Sequence, residues 1–260
     1  GGLLGQFGSR VPFYAAAVLC LVNFAYGYFI LPESLGKEHR RPFEWKRANP
    51  VGSLLKVRTH PEILKLFIAW FLVYLASHAV QTNWAYFTMY KFAWDEKTVG
   101  ISLGVMGAFT AFVQGFLIRK VHPKLGSERS ILYGIMFYCT GMLLFAFAQK
   151  EWMMYAILAI YCLGGIAGPA LQSVISSKVS PKEQGDLQGA LTSVISITSI
   201  IGPLLMTQIF YFFTHPDAKI KLLTLELKPP FQFSGAPFFL GFVLMAVSAY
   251  FVYYVFHRKK

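Results

Sequence analysis

The sequence predicts an all-α, polytopic membrane protein with about seven transmembrane helices. Three observations carry this. Seven apolar stretches, residues 12–31, 63–90, 99–118, 130–148, 152–175, 187–213 and 236–256, are each long enough to cross a bilayer core of about 30 Å, which takes roughly 20 residues of helix. Every Asp and Glu falls in a connection or at a span end. The chain is 55% hydrophobic and only 14% charged, where a soluble domain carries about a quarter charged residues.

The elements follow in order. The first span opens on Pro12, which suits a first helical turn because its missing N–H would be unpaired there anyway. It ends at Leu31-Pro32-Glu33-Ser34. The polar connection from Glu33 to Pro61 is rich in Arg, Lys, Glu and Pro. Two readings of it stand side by side. Phe43, Trp45, Leu54 and Leu55 rest at the headgroup level while the basic residues meet anionic lipid, or the segment is a solvated linker. Six spans with mostly short turns follow. Residues 94–97 turn on one side and 119–129 on the other, with Pro123 and Gly126 as breakers; 149–152 and 176–186 continue the alternation. Ser180-Pro181-Lys182-Glu183 reads as a capping box, with Ser at N-cap, Pro at N1 and Glu at N3. Pro229 and Pro230 block a continuous helix across the longer connection 214–234.

The 24 basic residues set the orientation. Alternating topology places Lys37, Arg40, Arg41, Lys46, Arg47, Lys56, Arg58, Lys65, Arg119, Lys120, Lys124, Arg129, Lys178, Lys182, Arg258, Lys259 and Lys260 on one side. The other side receives Arg10, Lys91, Lys97, Lys150, Lys219, Lys221 and Lys228. The basic excess marks the cytoplasmic side, so the C-terminus is expected inside an inner (plasma) membrane. The net charge of +12 thus reports topology, and no nucleic-acid partner is expected. Cys20, Cys139 and Cys162 lie within spans, where thiols pack as small apolar groups. Neither a disulfide framework nor a metal site is expected. The opening Gly1-Gly2-Leu3-Leu4-Gly5, without an initiating Met, is expected to lie inside a longer chain.

Polar residues at membrane depth are costly unless they face protein or water, so they mark candidate sites. Tyr74, His78 and Gln81 follow i, i+4, i+7 spacing on one helix face, and Asn83, Trp84, Thr88 and Tyr90 extend the polar and aromatic character outward. His78 is the one imidazole near the middle of a span. The leading reading is that this face lines a cavity; the alternative is His78 as structural glue between helices. Thr110 and Gln114 are again i, i+4. Gln172 follows Gly168-Pro169, and Gln188, Thr192, Ser196 and Ser199 share a face of the sixth span. Ser and Thr often bond only the i−4 carbonyl of their own helix, so Gln114 and Gln172 are the stronger candidates. Gly168-Pro169 and Gly202-Pro203 leave a carbonyl unpaired and give a helix a joint, which suits bundles that rock against each other and static kinks alike.

Several motifs together resemble the tetracycline-efflux branch of the drug-proton antiporters in the major facilitator superfamily. Gly1-Gly2-Leu3-Leu4-Gly5 is similar to the end of the glycine-proline motif of that family's fifth helix. Leu31-Pro32-Glu33-Ser34-Leu35, Arg40-Arg41-Pro42-Phe43 and Ala48-Asn49-Pro50 resemble the start of its central loop. Trp84, Phe87-Thr88, Phe92, Trp94 and 99–103 are similar to the same branch, as are 169–172, 183–185, 187–189 and 202–205. The resemblance implies a twelve-helix bundle in two halves. Residues 1–31 then hold the end of helix five and helix six, 32–60 the central cytoplasmic loop, and 61–260 the C-terminal six-helix half. Helices one to four, with their acids, become a missing partner. The family's His of helix eight matches Thr110 here, and its Asp of helix nine matches Tyr138, while the helix-eight glutamine matches Gln114.

The expected function is efflux of a drug-like, tetracycline-like molecule by proton antiport with alternating access. Tyr74, His78, Gln81, Trp84, Thr110, Gln114, Gln172, Gln188 and Thr192 are the expected substrate wall, and Gly1, Gly2, Gly168, Pro169, Gly202 and Pro203 the expected hinge or motif positions. No resident cofactor is implied: protons supply the energy, and a divalent cation is allowed only as bound to the substrate. A sugar or metabolite facilitator is the first rival, although carbohydrate sites need more hydrogen-bonding side chains at depth than this chain has. A seven-helix receptor fits the span count alone. An enzyme is not expected, because the spans hold no paired acids, no nucleophile–base spacing and no metal cluster.

Overall fold

The computed structural model describes residues 2–8, 10–32, 61–180, 183–215, 220–222, 225–229 and 231–257. Gly1, the connection with Phe43, Trp45, Leu54 and Leu55, two residues of the capping box (Pro181 and Lys182), Pro230 and the terminal basic residues lie outside the described residues. A short turn α1 (Gly2–Gly5) leads into α2 (Val11–Phe29). Then come α3 (Pro61–Phe92), α4 (Glu96–Phe112), a π turn (Val113–Leu117), α5 (Ile118–Phe147), α6 (Glu151–Leu163), a 3-10 turn (Gly164–Ile166), α7 (Ala167–Ser176) and α8 (Gln184–Thr214). A small antiparallel hairpin, β1 (Ile220–Leu222) and β2 (Leu225–Leu227), pairs Ile220 with Leu227 on the connection to α9 (Ala236–His257).

The helical run from Glu96 to Phe147 is 52 residues long, far more than one crossing needs. It is two spans. Gly126 sits at φ 75° and ψ 169°, outside the helical region, and its lack of a Cβ permits that break. Packing shows the reversal. A Cβ on Gly165 would lie 3.7 Å from Val113, and one on Gly134 2.7 Å from the backbone N of Ala167. Val113 and Gly134 would be about 31 Å apart on a straight helix, yet they meet residues two apart in the sequence. The expected seven spans are therefore present, with residues 151–176 forming one span from α6, the 3-10 turn and α7.

Lipid offers no hydrophobic drive for helices to associate, so close packing through small residues must do it. The glycines show where. Gly141 lies on Tyr161, Gly164 on the Tyr138 ring and Gly241 on Met142. Ser248 is fully buried and donates to the Ala69 carbonyl at 3.0 Å, tying α9 to α3. The core holds Trp84 edge-on to Phe145 with centroids 5.2 Å apart, and Phe87 edge-on to Phe238 at 4.9 Å. No residue of α2 is buried.

The capping box forms in part. The Glu183 carboxylate accepts from the Ser180 N–H at 3.2 Å and from its hydroxyl at 2.7 Å. The hydroxyl is thereby spent on the carboxylate rather than on the Glu183 N–H, and the α-helix begins only at Gln184. At α4 the cap is complete: Asp95 accepts from the Thr98 N–H at 2.8 Å. Hydrogen bonding to Thr98 holds the Asp95 carboxyl below its ordinary pKa, helped by the charge of Lys97. A depressed folded pKa adds stability above the ordinary value of about 4 and loses it as pH falls through the folded value. Asp95→Asn, which caps without titrating, should therefore flatten the acid side of the thermal-stability profile. An identical decline of variant and wild type below pH 4 would refute this.

Candidate functional site: a central cavity walled by amides and aromatic rings

A cavity of about 260 Å³ opens between α3, the π turn, α5, the 3-10 turn, α7 and α9. Its polar wall is Tyr74, Ser77 and Gln81 from α3, Gln114 from the π turn, Tyr138 from α5 and Gln172 from α7. Trp70, Val73, Gly165, Gly168, Pro169 and Met245 complete it. Among the described residues the lining holds no carboxylate, imidazole or Lys/Arg side chain, so this wall offers hydrogen bonding, shape and ring faces rather than a fixed charge.

Local structure explains how each group arrives. On α3, residues 70, 74, 77 and 81 form a stripe at helical spacing. Ser77 donates to the Tyr74 carbonyl at 2.7 Å, and Gln81 donates to the Ser77 hydroxyl at 3.0 Å. Trp70 and Tyr74 rings lie 4.7 Å apart. Gln114 rises from the π turn, a form that recurs at functional sites in helices, and lies over Gly165, where a Cβ would sit 3.8 Å from its Nε2. Tyr138 lies flat on Gly164, where a Cβ would come 2.5 Å from the ring, and packs on Tyr161 at 4.8 Å.

Gln172 is held from behind. Its Nε2 donates to Gln188 Oε1 at 3.1 Å, Gln188 Nε2 donates to the Ser176 hydroxyl at 3.4 Å, and Gln184 Nε2 donates to the Ser176 carbonyl at 2.7 Å. This amide ladder joins α7 to α8. It leaves the Gln172 carbonyl oxygen and one N–H for a ligand.

Of the expected wall, the structure brings Tyr74, Gln81, Gln114 and Gln172 together, with Gly168 and Pro169 beside them. The others stand elsewhere. His78 is 8% exposed and packs against α8, where a Cβ on Gly202 would overlap its ring; this is the position expected of a packing residue. Ser77 and His78 flank the Tyr74–Gln81 line on opposite sides, and only the neighbouring helices decide which meets the cavity. Trp84 is 1% exposed and its Nε1–H donates to Ser102 at 2.9 Å, so its indole is committed to the core. Thr110 lies 3.8 Å from the Cys162 sulfur; the π turn starts between it and Gln114 and breaks their shared stripe. Gln188 supports Gln172 and does not line the cavity. Thr192 is exposed and its carbonyl accepts from Ser196, while Ser193 and Ser199 bond their own helix likewise. Gly2 lies in α1, and α8 continues through Gly202 and Pro203 without interruption. Trp70, Ser77, Val73 and Met245 are not marked by the sequence reading. The i, i+7 repeat of Trp70 and Ser77 about Tyr74 is the signal that marks the first two.

Seven apolar spans, with a polar-walled cavity between α3, the π turn, α5, α7 and α9, define a multi-pass helical membrane protein of the transporter type, with no enzyme-like constellation among the described residues. Comparison with known proteins agrees. The model of the Major Facilitator Superfamily matches residues 1–203, and the chain belongs to that family. It is 36% identical over 210 residues to the class C tetracycline resistance protein of Escherichia coli, covering 81% of this chain and 53% of that protein. Against the class G tetracycline resistance protein of Vibrio anguillarum it is 34% identical over the same shares. The chain thus spans about half the length of these relatives. The crystal structure of the human organic anion transporter MFSD10 matches the fold with a TM-score of 0.75 at 18% identity, covering 94% of this chain and 57% of that one.

Proposed function

We propose that the chain is the C-terminal portion of an exporter of tetracycline-like drugs, driven by proton antiport through alternating access. Residues 1–31 are then the end of helix five and helix six, 32–60 the central loop and 61–260 the C-terminal half, with an N-terminal partner half covering α2. The observation that carries this reading is the neutral wall of amides and rings around the central cavity, set in a chain that is 36% identical to a tetracycline resistance protein. A flat polycyclic drug suits it: rings stack on Tyr74 and Tyr138, and Gln81, Gln114 and Gln172 pair with its oxygens and nitrogens. A divalent cation enters only as bound to the drug. With no titratable acid or imidazole among the described residues that line the central cavity, proton binding is assigned to the partner half. His78 serves as a packing residue, so His78→Gln should keep the pH profile of transport.

The test is drug efflux by everted vesicles carrying the complete protein. Tetracycline uptake into such vesicles should follow an imposed pH gradient and stop with a protonophore. Uptake that ignores the gradient would remove antiport; no uptake of any tetracycline would remove the substrate class. The basic turns are cytoplasmic in this reading. In a background without native cysteines, Lys97→Cys should react with an impermeant thiol reagent outside intact cells and Ser177→Cys should not. The reverse pattern would invert the topology.

A further inference from the structure

A second cavity, of about 290 Å³, lies against α7 and the first turns of α5. It shares Pro169 with the central cavity but is otherwise lined by the neighbouring face of α7, at Ala170 and Ser173, where the central cavity uses Gly168 and Gln172. Its lining is of two kinds. Ile118, Pro123, Pro169 and Ala170 are apolar. Arg119, His122 and Ser173 bring a guanidinium, an imidazole and a hydroxyl.

These three groups fit one ligand chemistry. A guanidinium offers a planar fork of donors to a phosphate, and a hydroxyl and a ring N–H add single donors. Arg119 has no ion-pair partner among the described residues. His122 Nε2 lies 3.3 Å from the Ser127 hydroxyl, which steadies the ring and leaves Nδ1 as its other polar atom. The adjacent Lys120 is engaged elsewhere, its ammonium 4.4 Å from the centre of the Phe116 ring. Along the same stretch of sequence, Lys124 and Arg129 add positive charge against the single carboxylate of Glu128 in residues 118–130.

The location selects the source of the phosphate. From Glu96 to Leu117 the chain climbs about 33 Å at helical rise, the thickness of a hydrocarbon core. Arg119 therefore stands at the membrane surface, on the side with the basic excess. Basic pockets between helices at that level receive anionic headgroups, and the apolar half of the lining accepts the glycerol and first acyl carbons. We propose that this cavity binds the headgroup of an anionic phospholipid, with Arg119, His122 and Ser173 on the phosphate. The inference stands on this cavity alone and holds whatever the protein transports.

The experiment uses the complete protein in uncharged detergent. Phosphatidylglycerol, phosphatidylcholine and inorganic phosphate are titrated separately while thermal unfolding is followed. Phosphatidylglycerol should raise the midpoint by about 2–4 °C, and the other two should leave it unchanged. Arg119→Gln should abolish the shift, and Lys120→Gln, which removes an equal charge outside the cavity, should retain it. Ser173→Leu fills the cavity without changing charge and should also abolish it, which keeps the test decisive if Arg119→Gln fails to fold. An equal shift with phosphatidylcholine, or a full shift surviving in Ser173→Leu, would overturn the site. A shift with inorganic phosphate alone would overturn the lipid and make a soluble phosphate ester the ligand.

Discussion

Gln172→Ala in the complete transporter is expected to raise the KM for drug about tenfold or more at unchanged protein abundance. Two contributions add. The variant loses an amide that faces the central cavity, and a hydrogen bond to a ligand in a water-poor site is worth about 1–3 kcal/mol once its unpaired partner is counted, where 1.4 kcal/mol is tenfold in binding. It also leaves Gln188 Oε1 without its donor at 3.1 Å. Gln188→Ala separates the contributions. Gln188 does not line the cavity, so its removal acts through the ladder, freeing the Gln172 amide to rotate and releasing the Ser176 hydroxyl. A smaller rise in KM with little change in maximal rate is expected, and Gln188→Glu, which keeps an acceptor for Gln172, should restore most of it. Initial rates of drug uptake in vesicles, read against quantified protein, decide the matter. Wild-type KM in both alanine variants would remove the ladder from substrate recognition, while loss of uptake in Gln172→Ala with Gln188→Ala unaffected would confine the role to Gln172.

The spans were legible in the sequence because lipid admits only long apolar helices there, and no tertiary information was needed to see seven of them. The site was legible only in part, for reasons that trace to single residues. Gln114 and Gln172 line the cavity as long amides at depth, and such groups stand out in sequence because they seldom satisfy themselves within one helix. Trp84 is not legible from sequence alone, because an indole at a polar helix end looks the same whether it faces a cavity or, as here, gives its N–H to a buried Ser102 on the next helix. His78 and Ser77 are separated by one residue step on the wheel. Gly202 on α8 draws the imidazole out of the cavity, and that glycine is more than a hundred residues away in sequence. The π turn at Val113 carries no compositional mark, so the shift in phase between Thr110 and Gln114 could not be foreseen.

Gly134→Ala is expected to lower stability clearly. The added Cβ would lie 2.7 Å from the backbone N of Ala167 and 2.8 Å from its Cβ. Neither atom sits at the end of a flexible side chain, so relief requires α5 and α7 to part. Overpacking of this kind costs about 1–3 kcal/mol. Gly185→Ala is the matched control. It lies in the first turn of α8 with no atom within 4 Å of the added Cβ, and replacing helical glycine by alanine there should add about 0.5–1 kcal/mol. Thermal unfolding of the detergent-solubilised protein should therefore move in opposite directions for the two variants. The consequence for the cavity is direct. Tyr138 follows Gly134 by one turn of α5, and Gln172 follows Ala167 on α7, so parting these helices at Gly134 pulls two of the polar walls away from each other. Lower thermal stability with a raised KM for drug is the expected pair of results for Gly134→Ala. Equal midpoints for Gly134→Ala and Gly185→Ala would show that the α5–α7 contact yields freely, and would remove the rigid seam on which the placement of Tyr138 opposite Gln172 depends.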